Sequence, residues 1–236
     1  IKNKKVIIFD MDGTLIDSIG IWNDIDVELI KTIGNTIDDV DISNQRDMKL
    51  KEYSKCEDAY LEYCGFLGKK YNSKMSKEEI KKLRYEIAEN YLREKIDYKP
   101  NAERVLRYLK EKGIMLVMAT TTNEHAIEIY KKYNKNIINK ANLEEMFSLI
   151  YTKEAVKQVK PNPEVYYKIL EELKVKKEEC LIVEDSLVGV EAANNANIEV
   201  AIIYDRYSDC NRDEINKLSQ YQFQSFDEML KLIKNE

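Results

Sequence analysis

The stretch VIIFDMDGTLIDS, residues 6–18, sets the frame for the rest of the chain. Four apolar residues, Val6 to Phe9, run without alternation into Asp10; Asp12, Gly13 and Thr14 follow. An unbroken apolar run of this length suits a strand buried on both faces. Two carboxylates two positions apart repel each other and resist dehydration. Their place at the end of a buried strand requires a positive partner, or chemistry that needs both.

Similar runs recur downstream: KVIIF (5–9) itself, IMLVMA (114–119), SLIY (148–151), CLIVE (180–184) and EVAII (199–203). Helical patterns separate the later ones. Residues 101–112 place Val105, Leu106 and Leu109 on one stripe, with Gly113 as C-terminal cap; 164–173 and 186–196 follow the same logic. Strands alternating with helices predict a doubly wound parallel α/β domain, formed by residues 1–16 and 98–236. Residues 17–97 hold no strand pattern and predict an all-helical insert, in which Ser76 and Glu79 make a capping box before a long amphipathic helix. Within it Tyr60, Tyr63 and Tyr91 fit core stripes, Trp22 is expected to pack internally, and Arg46, Lys49 and Lys70 read as solvated surface. KKYNKNIINK, ending at Lys140, reads as a solvated connection.

The composition is that of a globular protein: 236 residues, 44% hydrophobic and 34% charged, with a net charge of -5. Nothing favours a nucleic-acid or anionic-membrane partner, and no apolar run reaches the roughly 20 residues of a membrane helix. The opening residues lead into a strand and carry no secretion-signal pattern, while the missing initiator Met suggests trimming at the start. Cys56, Cys64, Cys180 and Cys210 lack metal-site spacing, so a reduced, cytoplasmic setting is expected, with a monomer as the simplest state. His125 is the one histidine. A Ser-His-Asp or Cys-His hydrolase would have to use it, and it reads as a surface residue.

In an open α/β sheet, ligands bind beyond the carboxyl ends of the strands. There the chain places Asp10 and Asp12, then Thr120-Thr121-Thr122-Asn123, then Glu184-Asp185-Ser186, with Lys160 in VKPNPE before the helix at 164. Hard oxygen ligands in this number suit Mg²⁺, which would offset the repulsion and polarise a phosphoryl oxygen. One carboxylate could then serve as nucleophile and another as general acid and base. Thr120 and Thr121 would bind phosphate with backbone N–H groups of the following helix, and Lys160 would neutralise charge on the transferring group. Pro161 biases Lys160 toward an extended backbone, and Asn162-Pro163 reads as N-cap and first helical residue. Thr121 and Glu124 fit a capping box; Thr122 reads as structural, Asn123 as a rim residue.

Taken together, FDMDGTLIDS, VMATTTN, VKPNPEVY and LIVEDSLVGVEAA, in this order, resemble the haloacid dehalogenase superfamily of phosphotransferases across essentially the whole chain. The resemblance implies Asp10 as nucleophile, Asp12 as general acid/base, and Thr120 and Lys160 as phosphoryl-binding residues. It implies Mg²⁺ held by Asp10, the backbone carbonyl of Asp12, Asp185 and Glu184, and a helical cap that selects the substrate. The dehalogenase and phosphonate-cleaving branches do not use a second aspartate like Asp12, so phosphate-ester chemistry is implied. The expected function is Mg²⁺-dependent hydrolysis of a small phosphorylated metabolite, a sugar phosphate foremost. A β-phosphoglucomutase is the alternative, but that enzyme carries a histidine where Trp22 stands and a bulkier aliphatic residue in place of Thr14. A non-catalytic phosphometabolite-binding protein is the alternative of another class.

Overall fold

The computed structural model describes residues 3–34 and 41–235. The part of the helical insert at 35–40, and the terminal residues 1, 2 and 236, lie outside the described residues. The chain divides into two compact units, residues 1–19 with 96–236 and residues 20–95.

The first unit is a six-stranded sheet. Its strands are β1 (Val6–Phe9), β2 (Met115–Ala119), β3 (Leu149–Tyr151), β4 (Cys180–Glu184), β5 (Glu199–Ile203) and β6 (Tyr221–Phe223). They lie in the order β3-β2-β1-β4-β5-β6 with every pairing parallel. Val6 stands opposite Met115 on one side and Cys180 on the other. Every residue of β1 is buried, as its unbroken apolar run requires. From this central strand the chain first builds outward through β2 and β3, then crosses back to β4. The switch leaves a crevice beyond the carboxyl ends of β1 and β4.

The helices at Ala102–Glu111, Glu164–Leu173 and Leu187–Asn195 lie where the patterns predict them. Val105, Leu106 and Leu109 are buried, and Gly113, at φ +77°, ends the first helix by donating its N–H to the Lys110 carbonyl. Two corrections concern quieter segments. The Asn-rich stretch read as a connection contains the helix Lys135–Ala141, which Asn134 caps by accepting from Ile137 N at 2.9 Å. Asn134 also donates to the Ile96 carbonyl, and Ile137 and Ala141 form a buried stripe four residues apart. β6 is an edge strand of three residues with a polar centre, too short to show a period.

The second unit comprises the helices Ile21–Gly34, Ile42–Glu52, Ala59–Lys70 and Lys77–Glu94. Ile25, Leu29, Tyr63, Leu67 and Ile80 are fully buried in its core. Full burial of an aliphatic side chain stabilises by about 1.5–3 kcal/mol. The capping box forms: Ser76 Oγ accepts from Glu79 N, and Glu79 Oε2 accepts from Ser76 N. Two expectations change. Tyr60 is 40% exposed, outside the core stripe. Trp22, 39% exposed, packs its ring against the Arg84 guanidinium of the same unit. Arg46 is not solvated surface: it donates to Asp26 at 3.2 Å and to Asn23 at 3.0 Å. Asp26 is wholly buried and also accepts from Arg84 Nε at 2.7 Å. One carboxylate thus ties three helices together.

Candidate active site

β1 ends by donating Asp10 N to the Val183 carbonyl, which locks the nucleophile candidate beside β4. The chain then turns sharply: Leu15 N and Ile16 N both donate to the Met11 carbonyl, and Gly13 N to that of Ile16. Gly13 sits at φ +78°, where a Cβ would fall 2.5 Å from Asp185 Oδ2. Glycine is therefore needed both for the conformation and for the close approach to Asp185. From the same turn Thr14 Oγ1 donates to Asp185 Oδ1 at 2.6 Å.

Lys160 reaches in from the loop before the helix Glu164–Leu173. The Glu164 carboxylate accepts from Lys157 N and Gln158 N, and Asn162 Oδ1 caps by accepting from Glu164 N. Pro163 precedes the helix rather than beginning it. The buried Lys160 ammonium donates to Asp10 Oδ1 at 2.7 Å, Glu184 Oε1 at 2.5 Å and the Ala119 carbonyl at 2.8 Å. Glu184, the last residue of β4, fits because Gly189 has no side chain: a Cβ there would lie 1.9 Å from the Glu184 carboxyl carbon.

Asp10, Glu184 and Asp185 bring carboxylate oxygens within 4.8 Å of one another, all buried. Burial pushes Asp10 well above the usual carboxylate range, with Glu184 adding to the rise and Lys160 opposing it. Burial, then the Glu184 charge, pushes Asp185 up to about 7. Burial alone would lower the Lys160 ammonium, but Asp10 and Glu184 hold it well above its usual value. Three carboxylates facing one ammonium leave an excess of negative charge when all are ionised. A divalent cation with a preference for hard oxygen ligands fits that set.

The remaining candidates are arranged around this cluster. Asp12, Thr121, Asp10, Lys160, Glu184 and Asp185 all line one cavity of about 360 Å³. The Asp12 carboxylate stands outside the trio and is held by two hydroxyls, Ser18 Oγ at 2.5 Å and Thr122 Oγ1. Thr120 is buried, is not among the residues lining the cavity, and accepts from Thr122 N at 3.0 Å. The helix Glu124–Lys132 is capped by Asn123, which accepts from Ala126 N at 2.8 Å; the Thr121–Glu124 box does not form because the helix starts later than that pattern requires. His125 is exposed. Sequence reasoning passed over Ser18, the contact role of Thr14, and Gly189. Hydroxyls close in sequence to a carboxylate pair were the available signal for the first two.

A family model of haloacid dehalogenase-like hydrolases matches residues 4–197. The chain belongs to this family. This haloacid dehalogenase-like hydrolase is 30% identical over 196 residues to the phosphorylated carbohydrates phosphatase of Thermotoga maritima, covering 83% of this chain and 82% of that one. It is 29% identical over 202 residues to the phosphoglycolate phosphatase of Aquifex aeolicus, covering 84% of each. Among solved structures it resembles a Thermotoga maritima protein assigned as a beta-phosphoglucomutase, with a TM-score of 0.77 and 25% identity over 98% of this chain and 99% of that one. The hydrolase is an enzyme of the family's phosphatase group. Among its described residues no helix is long and apolar enough to cross a membrane.

Proposed function

We propose that this hydrolase cleaves small phosphomonoesters, sugar phosphates foremost, by Mg²⁺-dependent transfer of the phosphoryl group to Asp10 and then to water. The observation that carries the reading is the junction of Asp10, Glu184, Asp185 and Lys160 in one cavity with Asp12 at its side. Asp10, Glu184 and Asp185, with the Asp12 carbonyl, would hold Mg²⁺. The metal would supply a Lewis acid for the phosphoryl oxygens and relieve the carboxylate repulsion.

Asp10 Oδ attacks phosphorus, and the new O–P bond forms as the bond to the ester oxygen breaks. Asp12, oriented by Ser18 and Thr122, gives its proton to that oxygen and later takes one from the attacking water. Lys160, already against Asp10, offsets charge on the transferring group. Thr120 and Thr121 belong to the phosphate-binding side of the proposal, as does the division into a catalytic core (1–16 and 98–236) and a helical cap (17–97). The phosphatase named for phosphorylated carbohydrates supports the sugar-phosphate class. The likeness to a protein assigned as a beta-phosphoglucomutase favours a mutase as second reading.

A panel of phosphorylated metabolites with Mg²⁺, scored for released phosphate and for conversion of β-glucose 1-phosphate to glucose 6-phosphate, separates the two. Phosphate release is expected, and Asp10→Asn should abolish it with the thermal melt still cooperative. Retention of most turnover by Asp10→Asn would refute the mechanism; isomer conversion with little phosphate released would establish the mutase.

A further inference from the structure

The cavity that holds the acidic cluster is not polar throughout. It is also lined by Ile19, Val188 and Tyr207, which stand 36%, 46% and 39% exposed. Exposed apolar residues scattered singly need no explanation. Three around one cavity with a charged floor give the composition of a small-molecule site, apolar walls with a few placed polar groups.

Tyr207 is held by a scaffold separate from the acidic cluster. It lies in the turn Arg206–Asn211 that follows β5. Asp205 Oδ1 accepts from Tyr207 N at 2.9 Å, and its Oδ2 accepts from Lys99 Nζ at 2.7 Å in a pair that is largely buried. Arg212 Nη2 donates to the Asp205 carbonyl at 2.7 Å. Arg206 donates to the Tyr207 hydroxyl at 3.0 Å and sets its guanidinium 4.9 Å from the ring centroid. The ring is therefore pre-positioned, so a ligand that touches it does not have to order it.

We infer that Tyr207 is a specificity-determining residue: its ring, with Val188 and Ile19, receives the C–H face of a sugar ring in the alcohol portion of the substrate. A sugar ring turns its hydroxyls outward along its edge and leaves C–H groups on its faces. Such a face matches an aromatic surface beside aliphatic side chains, whereas a short charged alcohol such as glycolate has none to offer. The inference rests on the phosphate-ester reading of the site for its orientation of the ligand.

Calorimetry on the Asp10→Asn protein with Mg²⁺, in which ligand persists unhydrolysed, tests it with glucose 6-phosphate and inorganic phosphate. Adding Tyr207→Ala should weaken glucose 6-phosphate by about three- to tenfold, the range of an aromatic contact, and leave inorganic phosphate within about twofold. Tyr207→Phe should retain most of the sugar-phosphate affinity. An equal loss for both ligands, a loss for neither, or no binding of glucose 6-phosphate before the change overturns the inference. If the Asp10 protein releases no phosphate from any ester while the calorimetric difference persists, the hydrolysis reading fails and the sugar-binding role of Tyr207 stands.

Discussion

Replacing Gly189 by alanine sets two effects against each other. The residue lies inside the helix Leu187–Asn195, where alanine is the better helix former by about 1 kcal/mol. Yet the added methyl carbon would sit 1.9 Å from the Glu184 carboxyl carbon and 2.0 and 2.2 Å from its oxygens. Non-bonded carbon and oxygen rarely approach closer than about 3.3 Å, so the carboxylate must retreat by roughly 1 Å or more. It has few places to go. Glu184 is 1% exposed, and its oxygens are engaged by Lys160 at 2.5 Å and by Asp185 N and Ser186 Oγ at 3.2 Å. Breaking a buried ion pair on one side costs about 3–5 kcal/mol. The low end applies here, because Lys160 keeps Asp10 and the Ala119 carbonyl. Net of the helix gain, Gly189→Ala should destabilise by about 2 kcal/mol, or about 4–8 °C in Tm for a chain of this size. Thermal melts in EDTA and in Mg²⁺ measure this, and the rise in Tm on adding Mg²⁺ should shrink, since a displaced Glu184 no longer completes the acidic trio. A melt at or above that of the parent, with an undiminished Mg²⁺ response, would refute the view that the tight seat under Gly189 fixes Glu184.

Two further outcomes follow from the same geometry. Asp185 is raised to about 7 by burial and then by Glu184. A carboxyl raised on folding contributes stability that is complete below its unfolded value near 4 and lost as pH climbs through 7. In EDTA, Asp185→Asn should therefore gain on the parent between pH 4 and 7, on the order of 4 kcal/mol at most at about 1.4 kcal/mol per pH unit. Mg²⁺ should suppress the gain; urea curves with a pH-independent difference would refute the assignment. In the helical unit, Asp26→Ala leaves Arg46 and Arg84 without their shared carboxylate and should cost about 3–5 kcal/mol. Trp22, the one tryptophan, lies 5.3 Å from the Arg84 guanidinium, so its fluorescence should follow the loss; an unmoved urea midpoint would count against the network.

Most active-site candidates were legible because they sit where an apolar run stops. Asp10 and Thr120 follow directly on β1 and β2, Glu184 ends β4 and Asp185 follows it, and a parallel sheet brings such positions to one rim. Residues whose meaning lies in a partner from another helix left no such mark. Asp26, Arg46 and Arg84 stand on three helices of the insert, and nothing in the period of any one shows the other two. Gly189 is equally silent, since its missing side chain matters only once Glu184 is known to lie beneath it. The Asn-rich helix at 135–141 was hidden by composition: asparagine suggests loops, but at a helix start it is a preferred cap. The edge strand β6 was hidden by its brevity.

The central place of β1 has a consequence for synthesis. Its neighbours in the sheet are residues 115–119 and 180–184, and the whole helical unit, residues 20–95, is made before either. At about 5–20 residues per second, this strand waits roughly 5–20 s for its first partner and about 9–35 s for its second. The helical unit is complete about 20 residues before β2 begins, while Val6–Phe9 still lacks both of its sheet neighbours and is open to capture by other chains. The acidic trio of Asp10, Glu184 and Asp185 cannot assemble until Asp185 has left the ribosome. Slow translation between residues 95 and 180 should therefore lower the soluble yield of this protein more than slow translation beyond residue 203.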